Sequence, residues 1–356
     1  MQWPTAKRYR TVFILITGLF ALVLALFGCQ KSTADEARYP KTHTFEFLYS
    51  FKLNSFPEGA KRVDVWVPVP QTRAEQTIHS VSFEGQREPE IYQDPLYGNK
   101  MAHFTFTAPL PDSIQLSMKI LATRNLVNAW QKQNNEHGPG AKRLLDRFLQ
   151  PDSLVPIGGK IAAEAARVVK PGMSTLEKAR ALYDYVVSTV KYDKSGEGWG
   201  RGDAIYACDA RRGNCTDFHS LFIGLARSSG IPARFIMGFP VADGQQSTAK
   251  IGGYHCWAEF YEPNHGWIPV DASEAFKHPE LKDFLFGSLD PNRLQFTMGR
   301  DIPLKTSHGT IHLNYLIYPY VEVDGRPYSK YSKNFLYRKA SLKEVAQLQS
   351  ATSAGN

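Results

Sequence analysis

Cys215, His255 and Asp271 are the residues of this sequence whose types and spacing could do covalent chemistry. A thiolate can attack a carbonyl, an imidazole can move protons, and a carboxylate can orient the imidazole. Cys215 lies in Arg211-Arg212-Gly213-Asn214-Cys215-Thr216-Asp217-Phe218-His219. Gly213 can supply a tight turn and Asn214 is a good N-cap. Asp217 sits three positions later, where an acid favours a helix start. Apolar Phe218, Leu221, Phe222, Leu225 and Ala226 follow at helical spacing, and Gly230 and Pro232 stop the run. The spacing predicts a buried helix with Cys215 in its first turn. Unsatisfied N–H groups and the positive dipole end gather there; both favour thiolate over thiol and could hold a developing oxyanion. Taken alone, the segment fits a small core cysteine equally well.

The other two residues belong to a strand–turn–strand pattern running from Gly253 to Asp271. Alternation places His255, Trp257, Glu259 and Tyr261 on one face, with Tyr254, Cys256, Ala258 and Phe260 on the other. Cys256 is therefore expected in the core, despite its neighbour. A hairpin centred on Pro263 would set His255 directly opposite Asp271, with Cβ atoms roughly 5 Å apart. Singly, His255 reads as a sheet-surface histidine and Asp271 as an acid capping the next turn. Together with a helix-start cysteine about forty residues upstream, the combination is far more specific.

Three competing arrangements involve the same residues. His219 lies one helical turn after Cys215 and could be a rival base. Cys208, Cys215, His219, His255 and Cys256 could ligate zinc, although their spacing matches no usual pattern. Cys208 and Cys256 could form a disulfide.

The remaining elements must position these groups. Residues 42–125 read as β structure: Phe45, Phe47 and Tyr49 share one face, and Val63, Val65 and Val67 another. Runs at 102–107 and 115–122 continue the alternation, and a small β-sandwich is its natural packing. From residue 126 the period becomes helical, with candidates at Ala141–Leu149 and Ile161–Val169. Ser174-Thr175-Leu176-Glu177 is a capping-box pattern opening a helix through Val190. A glycine-rich loop spans Ser195–Asp203, and a weak amphipathic helix around Leu342–Leu348 precedes a polar tail.

Lys7, Arg8 and Arg10 precede an apolar run from Val12 to Phe27, the pattern of an export leader or an uncleaved anchor. Leu26-Phe27-Gly28-Cys29 resembles a bacterial lipobox, in which Cys29 would be lipidated; Gln30 after it favours an outer membrane. Segmentation follows as leader 1–28, tether 29–41, β-sandwich 42–125, catalytic domain 126–335 and tail 336–356. The net charge is +8, three units of it in the leader, and the remaining basic residues are scattered. That distribution argues against a nucleic-acid partner. With Cys29 lipidated, three cysteines remain, so at least one thiol stays free.

Gly213-Asn214-Cys215-Thr216-Asp217, with Leu221-Phe222-Ile223-Gly224-Leu225-Ala226-Arg227 and Gly230-Ile231-Pro232-Ala233-Arg234, resembles the nucleophile segment of the transglutaminase-like superfamily. His255-Cys256-Trp257-Ala258-Glu259 and Gly266-Trp267-Ile268-Pro269-Val270-Asp271 resemble its histidine and aspartate segments, in the right order. The resemblance covers roughly residues 170–275. Trp199-Gly200-Arg201-Gly202-Asp203 and Gly299-Arg300-Asp301-Ile302 look like flanking features of a bacterial lipoprotein subgroup with an N-terminal β-domain. It implies an α+β fold, a papain-like core preceded by the β-sandwich. Cys215 would be the nucleophile, His255 the base and later the acid, and Asp271 the orienter. The Cys215 N–H would serve the oxyanion hole, with Tyr192 and Trp199 as candidates for its side-chain partner. No cofactor is implied; calcium, used by animal members, has no visible ligand loop here. The expected function is a membrane-tethered cysteine enzyme acting on protein or peptide amides through a thioester, hydrolysis being favoured over cross-linking. The alternative is a catalytically silent binding module at the cell envelope.

Overall fold

Alternation along β1 (Thr42–Leu53) fixes the first sheet, because Phe45, Phe47, Tyr49, Phe51 and Leu53 all turn to one buried face. The computed structural model describes residues 37–131, 145–244, 247–341 and 343–347. The leader, the proposed lipidation site Cys29 and most of the tether lie outside the described residues. β1 pairs on one edge with β6 (Ile114–Asn125), which in turn pairs with β3 (Gln76–Gly85). On its other edge β1 pairs with β12 (Ser332–Lys339), Tyr49 lying opposite Phe335. A second five-stranded sheet joins β2 (Arg62–Val69) to β5 (Lys100–Thr107) and to β11 (Tyr320–Val323). Glu90–Gln93, β4, flanks β5. The Phe83 and Phe104 rings, one from each sheet, meet edge to face at 5.9 Å.

This topology corrects the expected segmentation. β11 and β12 come from the end of the chain, and β12 runs through the 335/336 boundary, so residues 336–339 are not tail. The physical reason is edge pairing: with β6 on one side only, β1 would leave a row of backbone groups unpaired. The described residues from Lys41 onward form one compact unit.

A third sheet carries the candidate site. Its order is β9 (Gly266–Val270), β8 (His255–Glu262), β7 (Ala233–Pro240) and β10 (Arg293–Met298), all antiparallel. Phe239 and Phe296 from this sheet pack on Phe47 of β1, with ring centroids 5.2 and 5.7 Å away. One aromatic core therefore joins the N-terminal strands to the site sheet.

Helices cover the other face. α1 (Gly159–Val168) and α2 (Thr175–Thr189) form where periodicity predicts them. The Ser174 capping box closes in both directions, Glu177 N–H donating at 3.3 Å and Ser174 N–H at 2.8 Å. Residues 141–144 of the next expected helix lie outside the described residues; only 145–147 make a helical turn. α3 (Ala204–Ala210) leads to α4 (Cys215–Ser228), in which every residue from Cys215 to Arg227 is buried. α4 lies between the sheet, through Phe222 and Phe260, and α5 (Ala272–Lys277), through Phe218 and Phe276.

Candidate active site

The start of α4 is built as its sequence requires. Gly213 has φ +155°, and a Cβ there would fall 2.3 Å from the Asp217 carboxylate. Asn214 caps the helix by accepting from Thr216 N–H at 2.9 Å, and Asp217 returns the bond from Asn214 N–H at 2.9 Å. The same carboxylate accepts Gly200 N–H at 2.7 Å and Gly202 N–H at 3.0 Å, so Asp217 also folds the glycine-rich loop onto the helix. Arg300 fastens that loop from outside. It is fully buried and donates to Ser220 Oγ at 2.5 Å and to the Gly202 carbonyl at 3.0 Å. The two flanking segments singled out in the sequence thus meet each other.

Cys215 occupies the first helical position, where its N–H has no acceptor within the helix. A short parallel pairing sets Tyr192 opposite Gly213 and brings the phenol towards the sulfur. Burial pushes the Tyr192 hydroxyl up, and the nearby Cys215 sulfur adds to the shift. Trp199 Nε1 donates to the Gly196 carbonyl at 3.1 Å, so its indole serves the loop. Tyr254, immediately before His255, was not anticipated: its hydroxyl accepts from Asn214 Nδ2 at 3.1 Å, beside the cap of α4.

His255 and Asp271 meet, although not by the expected register. β8 and β9 pair with Ala258 opposite Val270 and Glu262 opposite Gly266, which centres the turn on Asn264 rather than Pro263. The Glu262 carboxylate accepts both Asn264 N–H at 2.9 Å and His265 N–H at 3.1 Å, and Gly266 takes φ +76°. Those capped N–H groups and the left-handed glycine select a three-residue loop. Displacing the centre by one residue preserves the face, so Asp271 lies diagonal to His255 instead of opposite it. Asp271 is also no longer strand. It is the N-cap of α5, accepting from Glu274 N–H and Ser273 Oγ at 3.1 Å each through Oδ1. Its Oδ2 lies 2.6 Å from His255 Nε2 and accepts from Arg293 Nη1 at 3.1 Å.

With Nε2 committed to Asp271, Nδ1 is the His255 nitrogen left for Cys215, and the two groups lie close enough for each to shift the other's protonation. Cys256 is fully buried, the core cysteine that alternation predicts; its Sγ faces α4, 3.6 Å from His219 Nδ1, and lies near enough to Cys215 for the two thiols to influence each other.

The electrostatics follow from these contacts. The Cys215 thiol is drawn well below its ordinary value, first by the Cys256 hydrogen bond, then, against burial, by the His255 hydrogen bond and charge. Burial opposes protonation of His255, but the Asp271 charge and hydrogen bond outweigh it and raise the imidazole to about 10. Burial likewise opposes ionisation of Asp271, which the His255 charge and contacts with His219, His255 and Arg293 nevertheless hold well below the usual carboxylate range. The favoured state is a thiolate–imidazolium pair backed by an ionised carboxylate.

His219 is excluded as the base by its own contacts. Its Nε2 accepts the Ala272 N–H at 3.1 Å, and its Nδ1 lies 3.6 Å from Cys256 Sγ. Cys208, Cys215 and Cys256 are each buried and free of disulfides. Among the described residues, no group of three or more His, Cys, Asp or Glu side chains is arranged to hold a metal ion. Arg293 is the site residue that the sequence did not disclose. It is buried between Asp271 and Asp290, in the stretch between the Gly266–Asp271 and Gly299–Ile302 segments, without a motif of its own.

Residues 162–272 match the sequence model of the transglutaminase-like superfamily. Over 350 residues the chain is 27% identical to an uncharacterized protein of Haemophilus influenzae, covering 85% of this chain and 92% of that one. A 148-residue stretch is 27% identical to the uncharacterized protein YebA of Bacillus subtilis, covering 38% of this chain and 20% of that one. A solved structure of a candidate cysteine protease from Cytophaga hutchinsonii superposes with a TM-score of 0.56 at 17% identity, over 85% of this chain and 92% of the other. That likeness is one of fold.

Proposed function

Since residues 162–272 belong to the transglutaminase-like superfamily, we propose that this protein is a membrane-tethered cysteine enzyme that cleaves amide-linked acyl groups through a thioester on Cys215. The observation that carries the reading is the placement of His255, bonded through Nε2 to Asp271 at 2.6 Å and near enough to Cys215 for each to shift the other. The Cys215 thiolate attacks the substrate carbonyl, and its backbone N–H faces the developing oxyanion. The His255 imidazolium gives its proton to the leaving amine and becomes the base that activates water for hydrolysis of the thioester. Asp271 and Arg293 hold the ring in one tautomer throughout. Hydrolysis is favoured over transfer to a second amine because the sequence marks no binding segment for such an amine.

The leader pattern and the Leu26–Cys29 lipobox support a lipid anchor at Cys29, and with it a protein or peptide substrate on the periplasmic side of the envelope. Among the described residues, no helix is long and apolar enough to cross a membrane.

A peptidyl probe carrying a thiol-reactive acyl group tests the reading. Wild-type protein and Cys208→Ala should form one adduct, on Cys215. Cys215→Ala and His255→Ala should form none. A wild-type protein that stays unmodified, or an adduct indifferent to His255, would leave the silent binding module as the better account.

A further inference from the structure

Arg124, on β6, is 2% exposed, yet its Nε and Nη1 groups meet no hydrogen-bond acceptor among the described residues. A buried guanidinium without a bonded anion is strongly disfavoured. Its cross-strand neighbour Gln76 is committed elsewhere: the amide nitrogen donates to the Gln71 and Gln295 carbonyls at 3.1 and 3.0 Å, and the oxygen accepts Gln295 N–H at 2.8 Å. Glu75, Glu259 and Asp290 attract the guanidinium through their charge. Of these, Glu259 is held by Arg234 at 2.6 Å and Asp290 by Arg293 at 2.5 Å. Arg124 lies over the Trp257 indole, with Cζ 5.6 Å from the ring centre, and Arg293 lies over the same ring at 5.2 Å. Such contacts engage the ring and leave the N–H groups without acceptors. Trp257 is fully buried, and its Nε1–H has no acceptor either. Arg293, 4% exposed, gives Nη1 to Asp271 at 3.1 Å and Nη2 to Asp290 at 2.5 Å, which leaves its Nε–H over. Four buried N–H groups from three strands are thus gathered around one indole. All four can only donate, and two side chains carry positive charge, so the cluster suits an anion and repels a cation.

We propose that Arg124, Trp257 and Arg293 form a buried binding site for a small inorganic anion of halide size, chloride in ordinary solution. Residues this enclosed can take an ion of one or a few atoms, not a carboxylate carried on a peptide. The guanidinium and indole N–H groups hold it by charge-assisted hydrogen bonds. The ion compensates the charge of Arg124 and gives Arg293 a third partner beside Asp271 and Asp290. Asp271 in turn holds His255 at 2.6 Å, and the His255 and Trp257 rings are 6.4 Å apart, so the site backs the arm that carries the imidazole. It also ties β6 of the first sheet to β8 and β10 of the site sheet. The inference does not depend on the chemistry at Cys215, because anion binding is read from stability and from scattering, without turnover.

The experiment is thermal unfolding of the full chain in sodium chloride, sodium bromide and sodium gluconate at one ionic strength, with bromide-soaked crystals to locate the ion. Chloride and bromide should raise the midpoint saturably, by roughly 2–4 °C over gluconate. Anomalous scattering should place a bromide within hydrogen-bond distance of Arg124 and Trp257 Nε1. Arg124→Met keeps much of the bulk without the donors and should abolish the difference between halide and gluconate. Trp257→Phe removes a single donor and carries the test if Arg124→Met does not fold. It should raise the half-saturating chloride concentration roughly tenfold. Equal midpoints in the three salts, the result expected if water alone reaches these groups, would overturn the proposal. So would a halide shift undiminished in both variants, or bromide bound only elsewhere.

Discussion

At the scale of single residues, the lowered Cys215 thiol and the raised His255 imidazole predict the two limbs of a pH profile. His255 loses its proton at about 10, so amide cleavage should fall along an alkaline limb near that pH as the general acid disappears. The acid limb should lie well below the ordinary thiol value, where Cys215 becomes protonated. Stability shares the sign of the His255 shift. Because its pKa is raised on folding from 6.5, its contribution is complete below that value and is lost as pH rises through about 10. The thermal midpoint of wild type should therefore decline over that window, and His255→Asn should flatten the decline; parallel slopes would refute the linkage. Cys215, His255 and Asp271 could be read from sequence because their neighbours carry information: a cap, an alternation, a turn. Arg293 could not, since a buried guanidinium between two carboxylates leaves no local pattern in its strand. Cys256 was legible as a core cysteine, because alternation states which face a side chain takes, but alternation could not say that His219 of α4 lies over it.

At the scale of elements, the start of α4 depends on Asp217 more than its capping role suggests. One carboxylate holds three backbone N–H groups belonging to the helix cap and to the glycine-rich loop. Asp217→Ala leaves those donors without their acceptor. It should cost about 1–3 kcal/mol in urea unfolding and should open the 195–203 loop to protease before the rest of the chain. Equal proteolysis of mutant and wild type would refute this. The helix boundaries were legible because Asn214, Asp217, Gly230 and Pro232 mark them chemically. The hairpin centre was not, because Pro263 looks like the turn while Glu262 and Gly266 determine it.

At the scale of the molecule, the early strands were legible and their partners were not. Alternation in residues 42–125 announces strands but says nothing of which strand completes which sheet. The chain supplies β11 and β12 from its far end. Residues 37–131 expressed alone should therefore show no cooperative unfolding transition, and a chain ending at residue 330 should lose the transition of the full-length protein. A sharp two-state melt of either piece would contradict the observed sheet order.

β12 also sets a schedule. Phe45 lies opposite Lys339, so the strand made almost first must wait for one made almost last. Loops of that length close slowly, and no earlier segment fills the vacant edge. During synthesis the chain should thus stay open, and the thiol at Cys215 should acquire its buried surroundings only after residues 332–339 have arrived.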